Sequence, residues 1–231
     1  MKVGKRVFKF SKKECLGNIN LQTALINNCD EYFYKQSLNI GIDNLSTHFT
    51  NFGFGEKTNI QLKKEFKGTN PNKEWKLKKF NKPWYAGETM MTSVGKGFFI
   101  VTPMQISRYI SSMALEKKID LNILKDNGLN KSTDFNYNKT QFKFIKDYMY
   151  NNCNDTSGRM TKYLDSSFKI AGIESHSKDK KNNTYSWFTS YAPFDNPKYS
   201  VTILLENEKD DFYKSIGDIV NKIYFKLENI K

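Results

Sequence analysis

Residues 185–205 read Tyr185-Ser186-Trp187-Phe188-Thr189-Ser190-Tyr191-Ala192-Pro193-Phe194-Asp195-Asn196-Pro197-Lys198-Tyr199-Ser200-Val201-Thr202-Ile203-Leu204-Leu205. Two runs rich in aromatic and β-branched residues, Tyr185–Tyr191 and Tyr199–Leu205, flank Phe194-Asp195-Asn196-Pro197. Asp and Asn bond their own backbone in turns and Pro presets φ, so this is two strands joined by a turn. Upstream, Phe168–Ile170 reads as a third strand. Downstream, Phe212, Ile216, Ile219, Val220, Ile223 and Leu227 repeat at the helical period and predict a closing helix. A small antiparallel sheet of three strands closed by a helix, following a helical stretch, gives an α+β fold.

Working outward, Thr102-Pro103-Met104-Gln105 is a helix start: Thr caps, Pro suits the first turn, and Gln completes a capping box. Ile106, Tyr109, Ile110 and Met113 follow on one face, and Phe142, Ile145 and Met149 predict another helix over Gln141–Tyr150. Asn20 caps a helix carrying Leu21, Ala24, Leu25, Cys29, Tyr32 and Phe33, which fades before Gly41. Asp43 is expected to cap a short helix that ends at Gly53. Phe54–Lys82, rich in Gly, Asn and Lys, reads as mostly irregular, and Lys2–Phe10 as an edge strand. The whole chain, 1–231, is expected to form one domain, helical over about 18–155 and then sheet and closing helix over about 165–231.

Hydrophobic residues make up 38% and aromatics 15%, which excludes a disordered chain. The net charge of +13 favours anionic partners, although Lys and Asn are abundant throughout and discriminate poorly. Cys15, Cys29 and Cys153 are odd in number and form no C-x-x-C, so neither a disulfide framework nor a zinc site is expected. His48 and His176 fit no ligand spacing, and no metal site is expected. No apolar run approaches the ~20 residues that span a bilayer, and the basic start, Met1–Lys13, is not followed by a signal-type apolar segment.

Five segments in order resemble the transpeptidase domain of class B penicillin-binding proteins, particularly the elongation type. They are Asn28-Cys29-Asp30-Glu31-Tyr32-Phe33-Tyr34 with Ile40-Gly41-Ile42-Asp43; Phe52-Gly53-Phe54-Gly55-Glu56-Lys57-Thr58; Trp84-Tyr85-Ala86-Gly87-Glu88-Thr89; Val94-Gly95-Lys96-Gly97 with Val101–Gln105; and Ser186–Pro193 with Asn196-Pro197. The resemblance implies part of a serine β-lactamase and D,D-peptidase architecture. It also implies peptidoglycan cross-linking by serine acyl transfer on a stem peptide, blocked by penicillin. The family works at the outer face of the inner membrane, without metal or organic cofactor, alongside cell-elongation proteins.

Three motifs carry that chemistry: S-x-x-K, S-x-N or S-x-D, and K-T-G. The nucleophilic serine needs a base beside it. The second serine relays protons, and the K-T-G strand presents a cation, a hydroxyl and a close backbone. Before Asn28 no serine precedes a lysine by three positions; Ser11-Lys12-Lys13-Glu14 is S-x-x-E. The second motif falls on Asn28-Cys29-Asp30: Asp30 is kept, while Asn28 replaces the relay serine, and an amide cannot relay a proton as a hydroxyl does. The third falls on Ile173-Glu174-Ser175, after Ala171-Gly172. The cation is lost, Ser175 adds bulk, and Glu174 is expected to repel a substrate carboxylate by a few kcal/mol at ~4 Å. Lys96 stands where the family usually has Gln. No residue of this chain is therefore assigned a catalytic role.

Two other readings stand beside an inactive transpeptidase-like fragment. One is a non-catalytic interaction module, or the C-terminal half of a split transpeptidase completed by a separate N-terminal half bearing S-x-x-K, since a sheet lacking strands exposes its edge. The other ranks lower: Lys63, Lys64, Lys67, Lys73, Lys76, Lys78, Lys79 and Lys82 interleave with Phe66, Trp75, Phe80 and Trp84, a pattern that grips single-stranded nucleic acid.

Overall fold

A computed structural model describes residues 2–3, 6–7, 12–123, 132–178, 182–207 and 211–229. The chain forms two compact units, Met1–Thr102 and Pro103–Lys231.

In the first unit, β1 (Lys2–Val3) pairs antiparallel with β2 (Arg6–Val7); Phe8 and Phe10 lie outside the described residues. A 3-10 turn at Lys13–Cys15 precedes α1 (Leu21–Ile26), whose Asn20 cap accepts from the Thr23 amide at 2.8 Å. The helix expected through Phe33 breaks instead: Asn28 adopts φ +51 and α2 (Asp30–Ile40) starts afresh. Asn tolerates this left-handed region better than other side chains, so it interrupts a periodicity that Leu21 to Phe33 otherwise maintain. Gly41, at φ +81, turns the chain directly into α3 (Ile42–Asn51), so Gly41 rather than Asp43 is the cap.

The stretch read as irregular contains α4 (Lys73–Phe80), whose Asn72 cap accepts from the Trp75 amide at 2.8 Å. Dense lysines hid it, because they blur the apolar stripe. Next, α5 (Ala86–Ser93) starts with Glu88 accepting from the Tyr85 amide at 2.8 Å. Tyr34 of α2 and Met90 of α5 form the centre of this unit, with Val3, Met91 and Val94 packed around them.

In the second unit, α6 (Pro103–Leu115) starts on the expected proline. A short antiparallel pair, β3 (Lys117–Ile119) and β4 (Ser132–Asp134), leads to α7 (Lys139–Asn154). The strand expected at Phe168–Ile170 is a 3-10 turn, Ser166–Phe168, ended by Lys169 at φ +47; β5 (Ala171–Lys178) begins only after it. β6 (Thr184–Ala192) and β7 (Tyr199–Glu206) complete a three-stranded antiparallel sheet of order β5-β6-β7, with Glu174 opposite Phe188 and Phe188 opposite Ile203.

Strand alternation sorts residues onto two faces. Ala171 and Tyr191 pack against Ile110 and Ala114 of α6 and Met149 of α7. Ile170, Phe188, Ala192 and Val201 pack against α8 (Phe212–Glu228) through Ile216, Val220 and Tyr224. Each fully buried large apolar side chain contributes roughly 1.5–3 kcal/mol, so the helices on both faces fix the sheet that carries residues 171–175.

Candidate functional site

The loop between α1 and α2 and the start of α2 hold Asn28, Cys29 and Asp30, where the second motif is expected. The Cys29 amide donates to the Ala24 carbonyl at 2.9 Å and the Asn28 amide to that of Leu25 at 3.3 Å, which folds the loop back over α1. Asn28 is exposed. Asp30 accepts from the Lys96 ammonium at 2.8 Å and lies 3.4 Å from the Tyr34 hydroxyl, which donates to it. Both members of the ion pair are about half exposed, so the pair contributes at most ~1 kcal/mol. Its chemical effect is larger: the one retained polar group of this motif is occupied by a cation. Ser93 stands three residues before Lys96, but its hydroxyl donates to the Met90 carbonyl at 2.8 Å, while the Lys96 ammonium serves Asp30.

Cys29 itself is joined to Cys15 by a disulfide, with Cα atoms 5.4 Å apart. The expectation of no disulfide is thus corrected. The odd count misled because the third cysteine, Cys153, is buried as a free thiol in the other unit, leaving the first two as a pair. The reversal of α1 brings together two residues 14 apart in sequence.

Ile173, Glu174 and Ser175, where the third motif is expected, lie on β5. Ile173 is half-buried against the α6–α7 face, where the family's lysine would need water or an anion. Ser175 is exposed. Glu174 differs from expectation: its side chain is 1% exposed and meets no solvent-borne anion. Its carboxylate accepts from Arg159 Nε and, at 2.8 Å, from Asn152 Nδ2. Arg159 also donates to the Tyr148 hydroxyl at 3.1 Å. The physical reason is strand alternation: Glu174 shares a side of β5 with Gly172, toward the chain that follows α7, rather than the side of Ile173 and Ser175. The repulsion expected of it is cancelled by the guanidinium.

The end of α7 also covers the outer edge of β5. Asn152 Nδ2 donates to the Gly172 carbonyl at 3.1 Å and Asn154 Nδ2 to that of Ile170 at 2.7 Å. Between them, the Cys153 thiol is pushed far above its ordinary range by burial and then by the Glu174 charge. It is held as a thiol and contributes no nucleophile.

The Lys- and aromatic-rich stretch commits Lys76, Trp75 and Trp84 to packing, while its other seven lysines stay exposed. Lys76 is 3% exposed, bonds Glu88 at 2.6 Å and lies 4.4 Å from the Tyr85 ring centroid. Trp75 packs on Phe98 with centroids 5.3 Å apart, and the Trp84 indole donates to Thr89 Oγ1 at 2.8 Å. The two indoles are thus part-covered by neighbouring groups, whereas Phe66 and Phe80 remain exposed.

The penicillin-binding protein transpeptidase domain matches residues 3–225. The chain belongs to this family. Among relatives, the peptidoglycan D,D-transpeptidases MrdA of Haemophilus influenzae and of Escherichia coli K12 are each 32% identical, covering 87% and 85% of this chain but 35% of their own length. The chain therefore spans about a third of the curated relatives it matches. A penicillin-binding protein, PBP2, of Helicobacter pylori superimposes with a TM-score of 0.87 at 33% identity, over 99% of this chain and 43% of that one. The same protein in complex with MreC gives 0.86. These likenesses bear out the α+β class and the penicillin-binding transpeptidase resemblance.

The three residues expected at the K-T-G positions, Ile173, Glu174 and Ser175, are an apolar, an acidic and a hydroxyl side chain. The sequence alone did not point to Arg159, Asn152 or the Lys96–Asp30 pair as neighbours of these residues. Arg159 lies 15 residues from Glu174, and nothing in local periodicity couples the two. Lys96 was visible as a departure from the family pattern; only the fold places it against Asp30.

Proposed function

We propose that this chain is a transpeptidase-domain relative that keeps the scaffold of the peptidoglycan D,D-transpeptidases and does not itself catalyse serine acyl transfer. The observation that carries this reading is Glu174. At the centre of the third motif it is a buried carboxylate bound by Arg159 and Asn152, so β5 offers no hydroxyl at this position for a stem-peptide or penicillin carboxylate. Ile173 supplies no cation beside it. Asn28 cannot relay a proton to a leaving group, and Asp30 is engaged by Lys96. Purified chain incubated with fluorescent penicillin is expected to carry no covalent label after denaturing electrophoresis; a labelled serine identified by mass spectrometry overturns the proposal.

A second reading, an interaction module or the C-terminal half of a split transpeptidase, is favoured by β7. Its outer edge has no strand partner among the described residues, and Tyr199–Glu206 carries no Lys or Pro, the usual devices that keep such edges apart. A strand from an N-terminal transpeptidase half fits that edge. A cell-elongation protein is the other partner class, as MreC is found with the Helicobacter pylori PBP2. With a separately expressed, S-x-x-K-bearing N-terminal half of a related transpeptidase, backbone amides of residues 199–206 are expected to gain at least ~10-fold protection from hydrogen exchange. Unchanged exchange at saturating partner removes this reading and leaves the first intact.

A further inference from the structure

We infer that the Cys15–Cys29 disulfide is a redox-dependent lock on the loop that carries Asn28 and Asp30. Both cysteines are buried, at 5% and 0% exposure, and share a cluster with Ala24 that is rimmed by Ile19, Tyr32 and Phe33. The bond encloses all of α1, which has six residues and is far too short to persist by its own hydrogen bonds. Besides the disulfide, the loop carries backbone bonds to Ala24 and Leu25, bonds from the Asn27 backbone and Nδ2 to the Thr23 carbonyl, each at 3.1 Å, the Lys12 ammonium donating to the Asn27 carbonyl at 2.7 Å, and the half-exposed Lys96–Asp30 pair at 2.8 Å. The 3-10 turn at Lys13–Cys15 is itself a single turn, so without the bond two marginal elements anchor one another. A cross-link across ~15 residues removes much of the unfolded freedom of this segment, and its loss returns that freedom locally.

Formation requires a disulfide-class oxidant. One cysteine thiolate attacks a sulfur of the oxidant's disulfide and forms a mixed disulfide. That step breaks the oxidant's S–S bond; the second thiolate then displaces the oxidant's remaining sulfur, and the two cysteine protons end on the oxidant's sulfurs, which depart as a dithiol or, from glutathione, as two thiols. Burial keeps reducing thiolates from the finished bond, so the lock is set where the chain folds in an oxidising compartment and persists there. A chain folded under reducing conditions keeps the same sequence with an unpinned second-motif loop.

Three forms of the full chain test this: refolded with oxidised glutathione, refolded with a phosphine reductant, and the Cys15→Ser/Cys29→Ser double variant. Alkylation of the denatured oxidised form with iodoacetamide should label only Cys153; label on all three cysteines overturns the inference. Amide exchange over residues 20–30 should be about 10- to 100-fold faster in the reduced form and in the double variant, with no further effect of reductant on that variant. Exchange in α8 should match across all three forms. Equal rates over residues 20–30 in oxidised and reduced chains overturn the inference, as does an α8 that accelerates as much as the loop.

Discussion

Arg159→Met is expected to destabilise the second unit by about 3 kcal/mol, the lower end of what removing one partner of a buried ion pair costs. Glu174 would remain 1% exposed with its charge and only the Asn152 amide to meet it. The reverse truncation, Glu174→Met, should cost less, about 1–2 kcal/mol, because Arg159 is 22% exposed, can turn toward water, and keeps Tyr148. The double variant should be more stable than Arg159→Met alone, because two apolar side chains leave no orphaned charge. Urea unfolding monitored on the second unit supplies the double-mutant cycle; a coupling energy near zero would show that the pair does not hold the end of α7 to β5. Should Arg159→Met fail to fold, Arg159→Lys keeps the charge without the planar fork and should retain part of the coupling.

Glu174 also shows where sequence reading stops. The closing helix and the two strands around Phe194–Pro197 were legible because each is a local pattern: a 3.6-residue repeat, and two apolar runs flanking turn chemistry. β6 and β7 extend only a residue or so beyond the expected limits, as Thr184–Ala192 and Tyr199–Glu206. The break at Asn28 was less legible, because one left-handed residue interrupts a helix without disturbing the apolar spacing around it. At Lys169 the same cause shifted a strand start. The side chain's direction at Glu174 and its partner Arg159 were not legible at all. Facing is fixed by register, and a one-residue change of register would have turned the carboxylate to the other side of the sheet. Motif comparison marked Glu174 as a departure from the expected pattern, while only tertiary packing shows that its side chain is buried and paired with Arg159.

That conversion sets the expected outcome of restoring the family motif. The triple variant Ile173→Lys/Glu174→Thr/Ser175→Gly should not gain penicillin labelling, and it should lose at least ~2 kcal/mol of stability. Each change acts on a different support. Lys at 173 brings an ammonium to a half-buried position against Ile110, Ala114 and Met149, from which it must extend toward water. Thr at 174 is too short to reach Arg159, so the guanidinium loses its carboxylate partner and keeps its bond to Tyr148. Gly at 175, on an exposed strand position, costs a further 0.5–1 kcal/mol or so in backbone entropy. Adding Arg159→Met to the triple variant should recover part of the stability by removing a part-buried cation that has lost its carboxylate partner, and still give no label, because Asn28 supplies no relay hydroxyl and Lys96 still occupies Asp30. Fluorescent penicillin and urea unfolding on the parent chain and these two variants separate the two effects. Label appearing in either restored variant would mean that the third motif was the sole defect; restored motif residues with unchanged stability would mean that Glu174 and Arg159 carry no structural role.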